Sequence, residues 1–492
     1  ELAIFTPDGK EHQLEQGSIE RLGQVDMAVL TFSSGGAYEV ATIGDVKNLK
    51  LTDVIYVGGF PLNKLDEFRY ETGEVIANAE IGIDQGYQLL YSNYTLPGMS
   101  GGVLLNADGE LIGLHGRGER DEQASSGKAL VQKTGVNQGV PITYYNLFKS
   151  GASVVNSTKN PNTASDYAVM AASSLLKKER MQTIFRLIDQ ALIAETNISE
   201  FGNAPLYNIS GVAKSRHGDQ SGAIIYYNKA IESNKRYPTA YYNRGNARYA
   251  LGDYPGATDD YSKVIELNPQ YFLAYYRRGI AKSTLGDHQG AVNDFSKAIE
   301  INPKDANLYY SRGIDKSNLG DNQGAILDYT QTLDLDPNFS SAYGNRAISR
   351  QKLDDYQGAI DDYSMAIAIN PKNHKGYWNR ANLRNKLGDL KRAISDYSKV
   401  IEIDPRHDGA YNNRGNRKSE LGNYHEAIDD YNKALAINPL RGNTYFNRGN
   451  AKYALGDKND ACIDYLKSVS LGYMGASKWL NSADGAWCRN MR

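Results

Sequence analysis

A serine set among glycines, Gly98-Met99-Ser100-Gly101-Gly102, is the first place in this chain where chemistry could be done. Glycines on both sides let the backbone turn sharply. Its N–H groups, here those of Gly98 and Ser100, can then converge on an oxygen that turns anionic as the Ser100 hydroxyl attacks beside them. A carboxylate stands 74 residues upstream: Asp26, in the apolar run Val25-Asp26-Met27-Ala28-Val29-Leu30. From there it could orient a histidine base. His12 is the only histidine ahead of Asp26, and it sits on a segment that reads as a solvated strand, Glu11-His12-Gln13-Leu14-Glu15. The seven histidines, at 12, 115, 217, 288, 374, 407 and 425, have no metal-ligand spacing, and no glycine loop followed by lysine offers a phosphate cradle. No metal and no other cofactor is expected.

The elements around Ser100 must be strands. Residues 1–149 contain short alternating segments, Val25 to Phe32, Asp53 to Gly58 and Glu110 to His115, broken by turn sequences such as Thr6-Pro7-Asp8-Gly9, Gly58-Gly59-Phe60-Pro61 and Asp108-Gly109. This predicts an antiparallel β domain. Residues 150–165, rich in Ser, Asn, Thr and Gly, read as a linker.

Asp26, the Gly-x-Ser-Gly-Gly core and the strand Leu111-Ile112-Gly113-Leu114-His115 together resemble the trypsin-like serine peptidases. Val103 departs from that pattern, where the family usually has Pro. The resemblance implies an all-β barrel fold, incomplete here, with residues 1–149 holding the second barrel and the end of the first. It implies Ser100 as nucleophile, Asp26 as the residue orienting the base, and an oxyanion hole from the Gly98 and Ser100 N–H groups. The family's base lies roughly thirty to forty-five residues before the Asp, and only 25 residues precede Asp26. His12 is therefore too close. The expectation is that Glu1 falls after the base histidine and that the chain as it stands does not hydrolyse peptides. Thr95 and His115 match the Thr and His with which glutamyl endopeptidases hold an acidic side chain, and Arg117 would add positive potential. The other reading of His115 is an ordinary strand residue in a peptidase of different preference.

After residue 166 the pattern changes period. Prolines 269, 303, 337, 371, 405 and 439 recur every 34 residues, and counting back gives eight units from Ala204 to Gly475. Position 4 is Tyr and position 20 is Ala in every unit, position 24 is aromatic throughout, and position 15 is Gly except at Asp354. Gly permits the left-handed turn between two helices, and Ala lets them approach closely. The pattern resembles the tetratricopeptide repeat family and implies an all-α superhelix over 204–475. Residues 166–203 read as an atypical helical unit, and 476–492 as a cap and tail with a closing helix at Met474 to Leu480. Those two aromatic columns account for many of the 36 tyrosines, so the excess over 11 Phe and 3 Trp signals packing.

Position 7, usually Leu in that family, is Arg in seven repeats (244, 278, 312, 346, 380, 414, 448), and position 23 is Asp in the same seven. The first repeat loses both together, having Ser210 and Tyr226. This joint loss predicts an Arg–Asp pair between the two helices; an arginine stripe for phosphate is the other reading. In the family, positions 2, 5, 6, 9, 12 and 13 line a concave groove. Here position 6 offers Asn243, Asn345, Asn379, Asn413 and Asn447, position 9 adds Asn246, Asn382, Asn416 and Asn450, and position 5 offers Tyr242, Tyr276, Tyr310, Trp378 and Phe446. An amide both donates and accepts, which suits the backbone of an extended peptide, and the rings could supply side-chain pockets. The alternative is that these Asn residues solvate the groove or cap their neighbours.

Two function classes follow: a serine endopeptidase tethered to a protein-binding array, or a non-catalytic scaffold in which only the array works. With 55 basic against 57 acidic residues the net charge is −2, which argues against nucleic acid as the main partner. No run approaches the roughly 20 apolar residues of a membrane span. Cys462 and Cys488 are too few for a disulfide scaffold and leave the redox compartment open. Export to the periplasm or exterior is expected only by analogy with peptidases of similar build.

Overall fold

The structure is a computed structural model that describes residues 3–5, 11–21, 28–32, 54–59, 69–83, 87–92, 103–105, 111–117, 137–141, 170–171, 181–194 and 204–490. Its packing divides the chain into two compact units, Glu1–Lys304 and Asp305–Arg492.

The first unit begins with strands, as the alternating segments predict. β1 (Ala3–Phe5), β2 (Glu11–Arg21) and β3 (Ala28–Phe32) form one antiparallel sheet in that order. The next six strands are β4 (Val54–Gly59), β5 (Arg69–Ile83), β6 (Tyr87–Ser92), β7 (Val103–Leu105), β8 (Leu111–Arg117) and β9 (Asn137–Pro141). They pair antiparallel in the order β4-β5-β6-β9-β8-β7, and β7 returns to β4 through Tyr56 opposite Leu105 and Gly58 opposite Val103. Closing the order in this way leaves none of the six as an exposed edge. Leu104, on the short β7, is fully buried.

Helix Met181–Ala194 follows, burying Ile184, Leu187 and Ile188 on one face. Three two-helix hairpins complete this unit, from Ala204–Arg216 with Gln220–Ser233 to Phe272–Thr284 with His288–Ile301. Five more build the second unit, from Ala306–Asn318 with Asn322–Leu335 to Gly442–Ala454 with Lys458–Ser470. Local chemistry sets each hairpin. Asp at position 16 caps the second helix in seven repeats, as Asp253 does by accepting the Gly256 N–H at 3.0 Å, and the seventh has Asn423 without a side-chain cap bond. Position 15 takes φ of 79° to 89° wherever it is Gly, and Asp354 is held in the same region at φ 61°. A side chain there is strained. Asp354→Gly is therefore expected to raise stability by about 0.5–1 kcal/mol in chemical denaturation; a loss would show that the bond its carboxylate accepts from the Tyr356 hydroxyl outweighs the strain.

Packing then follows the two conserved columns of the repeat. All eight Ala residues at position 20 are fully buried, and the position-24 rings, from Tyr227 to Tyr465, are at most 2 % exposed. Glycine at position 8 makes room for the ring in six repeats, a Cβ on Gly245 lying 2.8 Å from Tyr261, while the fifth and sixth have Ala347 and Ala381 there.

The Arg–Asp pairs form in all seven repeats, at 2.6–2.7 Å. The guanidiniums therefore face carboxylates and form no free stripe for phosphate. Each Asp is buried to 4 % exposure or less, and each receives a second cation from position 11, as Arg248 at 2.9 Å and Lys452 at 3.0 Å show. Each Arg also lies 5.3–5.7 Å over its own position-4 Tyr ring. Arg244, Arg278, Arg346, Arg380, Arg414 and Arg448 further bond the preceding repeat, as in Arg346 to Thr330 at 3.0 Å and Arg380 to Ser364 at 2.8 Å. In the first repeat, which lacks the pair, the position-11 Lys214 turns instead to Asp219 at 3.2 Å.

The C-terminal end holds a feature the cysteine count did not suggest. Helices Met474–Asn481 and Ala486–Arg489 fold back on the last repeat, and Cys488 is disulfide-bonded to Cys462 with Cα atoms 5.4 Å apart. Trp479 lies 4.1 Å from the Tyr465 ring and Trp487 stacks on Tyr453 at 5.3 Å.

Candidate functional site

Ser100, Asp26, Gly98 and Thr95 lie outside the described residues. The backbone of His115 is in β8, opposite Gly139 of β9, and Arg117 pairs with Gln138. His12 lies in β2 opposite Ile4.

The groove can be built from its residues. Contacts at a sequence separation of 35 identify its face, because they join the first helices of successive repeats. Asn243 donates to Asn208 at 3.0 Å, Asn345 to the Tyr310 hydroxyl at 3.1 Å and Asn447 to Asn412 at 3.2 Å. Positions 5 and 6 thus meet across a repeat boundary, and positions 12 and 13 do the same where Lys352 reaches Ser317 at 3.3 Å.

Much of the predicted amide ladder is engaged within the protein. The position-9 carbonyls of Asn246, Asn382, Asn416 and Asn450 accept from the position-24 hydroxyls of their own repeats at 2.7, 2.7, 2.8 and 3.0 Å. Asn243 and Asn246 are fully buried, as is Tyr242, so these three do not reach the open face. The reason is stacking: each repeat covers its predecessor, and a buried phenol requires a partner for its hydroxyl. Asn345, Asn379, Asn413 and Asn447 remain partly exposed, with Asn413 accepting from Asn412 at 3.1 Å. The aromatic row expected on the surface is also a packed one. Tyr276, Tyr310, Trp378 and Phe446 are half-buried and lie against the position-24 rings of their own repeats, with centroids 5.8, 6.0, 5.6 and 5.5 Å apart.

Burial governs the electrostatics. It pushes the Tyr363 phenol up to about 12, against the pull of the Asn379 amide. Burial also holds the Asp260 carboxyl above its usual range although Arg244 and Arg248 pull it down. Arg277 takes position 6 in the third repeat, where five others have Asn, and lies 5.8 Å over the Tyr276 ring. In the position-5 column Gly344 interrupts the row of rings. Among the described residues no cluster of His, Cys, Asp or Glu could hold a metal ion, and no helix is long and apolar enough to cross a membrane.

Within the second unit the arrangement offers amide donors beside half-buried rings, a surface suited to an extended chain. Comparison with known proteins agrees on the construction. The trypsin-like peptidase domain family matches residues 2–114. Tetratricopeptide repeat families match residues 238–271, 272–305, 340–373, 374–407 and 415–456. No curated protein matches the chain. Among solved structures, MamA is similar at 26 % identity, covering 35 % of this chain and 94 % of its own, with a TM-score of 0.33. A tetratricopeptide repeat protein from Parabacteroides merdae is similar at 21 % identity, covering 49 % of this chain and 97 % of its own, with a TM-score of 0.36. YrrB, described as a tetratricopeptide repeat protein with an unusual peptide-binding site, is similar at 23 % identity, covering 43 % of this chain and 92 % of its own, with a TM-score of 0.27. The chain carries a trypsin-like peptidase domain at its N-terminus, followed by an array of tetratricopeptide repeats.

Proposed function

We propose that the protein is a serine endopeptidase whose substrates or partners are gathered by its repeat array. Ser100 is the nucleophile, Asp26 orients the base histidine, and the N–H groups of Gly98 and Ser100 receive the oxyanion. The base takes the Ser100 proton as the hydroxyl attacks the scissile carbonyl, then returns it to the leaving amine; water frees the acyl group by the same route. Thr95 and His115, with positive potential from Arg117, receive an acidic side chain on the acyl side of the scissile bond. The observation that carries this reading is that the peptidase match over residues 2–114 spans Asp26, Thr95, Gly98 and Ser100. The closed order of six strands beside a separate set of three supports it, as a second barrel with part of a first.

In the array, the partly exposed amides bind the backbone of an extended peptide and the half-buried rings take its side chains. The disulfide supports an oxidising compartment, hence export.

The test is fluorophosphonate labelling of the full-length protein. Labelling is expected, and Ser100→Ala is expected to lower it by several orders of magnitude. Labelling that survives Ser100→Ala would overturn the assignment. Absence of labelling with peptide binding retained would make the protein an adaptor with a non-catalytic β domain. Profiling on a peptide library checks the pocket, and cleavage confined to sites after Arg, Lys or large apolar residues would sink the acidic preference.

A further inference from the structure

Gly344 occupies position 5 of the fifth repeat, between Tyr310 of the fourth and Trp378 of the sixth. It lies inside helix Ser340–Lys352, away from any turn, and its φ is not positive, so backbone conformation does not call for glycine. Glycine in a helix interior is destabilising. A Cβ built on it would meet nothing within 4 Å. In the repeats on either side the same position carries a ring against the position-24 ring, Tyr310 on Tyr329 at 6.0 Å and Trp378 on Tyr397 at 5.6 Å. The fifth repeat keeps its position-24 ring, Tyr363, and lacks the ring above it. The row therefore has a notch where one aromatic side chain is missing. One turn along the same helix, Ile348 is 40 % exposed.

Charge at the groove positions of these repeats is of one sign. In the fourth to sixth repeats, positions 2, 5, 6, 9, 12 and 13 carry Lys352, Lys375 and Lys386 and no acid. All three lysines are exposed and none has an ion-pair partner among the described residues, although Lys352 reaches Ser317 and Lys386 donates to the Tyr356 hydroxyl and lies 4.0 Å over its ring. Asn345 and Asn379 are partly exposed at position 6 in the fifth and sixth repeats.

We propose that the fourth to sixth repeats bind an extended acidic polypeptide segment that seats one aromatic side chain in the notch at Gly344. This deepens, and rests on, the reading of the groove as a peptide site. The ligand's ring takes the place the row leaves empty beside Gly344, between Tyr310 and Trp378. The amides hold its backbone, and the lysines attract its carboxylates and speed encounter. The chemistry matches the acidic preference proposed for the peptidase pocket, so both parts of the chain would select one class of polypeptide.

The experiment is calorimetric titration of the full chain with a short synthetic peptide of Glu, Ser and Gly bearing one central Phe, and with its Phe→Ala twin. The Phe peptide is expected to bind roughly tenfold more tightly. Gly344→Tyr restores the ring found in neighbouring repeats; it is expected to erase that difference, leave the Ala peptide unchanged and not lower the melting temperature. Gly344→Leu, which fills the notch less completely, serves if the Tyr variant does not fold. Replacing Glu by Lys in the Phe peptide is expected to weaken binding, and undiminished binding would overturn the acidic preference. Equal affinity of the Phe and Ala peptides for the unaltered protein, or discrimination that survives in both variants, would overturn the notch while leaving the groove standing. Failure of every peptide to bind would overturn the notch and the groove together.

Discussion

Replacing Asp362 by alanine is expected to destabilise the second unit by about 3–5 kcal/mol, the range for breaking a buried ion pair from one side. Asp362 is 2 % exposed. It accepts from Arg346 Nε at 3.0 Å and Nη2 at 2.7 Å, and from Arg350 Nη1 at 2.8 Å. Removing the carboxylate leaves two guanidiniums with their strongest acceptor gone, in surroundings where water replaces it poorly. Arg346 also holds the Tyr343 ring and Thr330 of the preceding repeat, so the loss spreads across a repeat boundary. Replacing Arg346 and Asp362 together by leucine is expected to cost far less, about 0–2 kcal/mol, because no unpaired charge remains at position 7 or 23 and Arg350 keeps Asp355 at 3.6 Å. Urea denaturation followed by helical circular dichroism measures both. In a repeat array the weakened hairpin can also split the transition, since each repeat contacts mainly its neighbours. A loss below about 1 kcal/mol in the single variant would show that these pairs behave like exposed ones.

Reduction of the Cys462–Cys488 bond is expected to release the C-terminal cap and cost about 2–4 kcal/mol of local stability, from the chain freedom regained across a separation of 26 residues. Both cysteines are buried, at 4 % and 0 % exposure, so slow reduction in the folded state is expected. Once freed, Trp487 leaves Tyr453 and Trp479 leaves Tyr465 and Phe446, which lies 6.3 Å away. The readout is a red shift of tryptophan fluorescence together with faster amide exchange in the eighth repeat and little change in the fourth. Cys488→Ser should reproduce this state and make the protein insensitive to reductant. If reductant leaves both fluorescence and exchange unchanged in the wild-type chain, the clip carries no stability.

The cap bears on the groove. Phe446, a position-5 ring, packs on Tyr473 at 5.7 Å as well as on Trp479. The last exposed ring of the row is thus supported by residues beyond the last repeat.

How much of this was legible beforehand depends on the range of the physics involved. The period, the helix ends and the turn at position 15 are local. Asp253 caps its own helix and Gly252 turns its own chain at φ 84°, so a column of identical residues is enough to place them. The Arg–Asp pairs were legible for a related reason: Ser210 and Tyr226 replace both partners in one repeat, and a joint loss exposes an interaction inside the repeat. Packing between repeats was not legible in this way. Tyr242 and Asn243 have the types of groove residues and are fully buried, because burial at one repeat is set by what its neighbours place over it. The position-9 amides looked like donors and acceptors for a ligand, yet their carbonyls accept from buried phenols whose hydroxyls only the assembled hairpin brings near. Cys462 and Cys488 form a pair only because the last two helices fold back.

Sequence alone therefore determined the identity of the two parts, from their local motifs, and the constant frame of every hairpin, since that follows from contacts within about one repeat. It also offered Ser100, Asp26, Thr95 and His115 as candidates for the peptidase chemistry, of which only the backbone of His115 lies among the described residues. Tertiary structure alone decided which polar groups are already engaged and which rings remain at the surface, because each depends on the free volume and hydrogen-bond partners that one repeat leaves to the next.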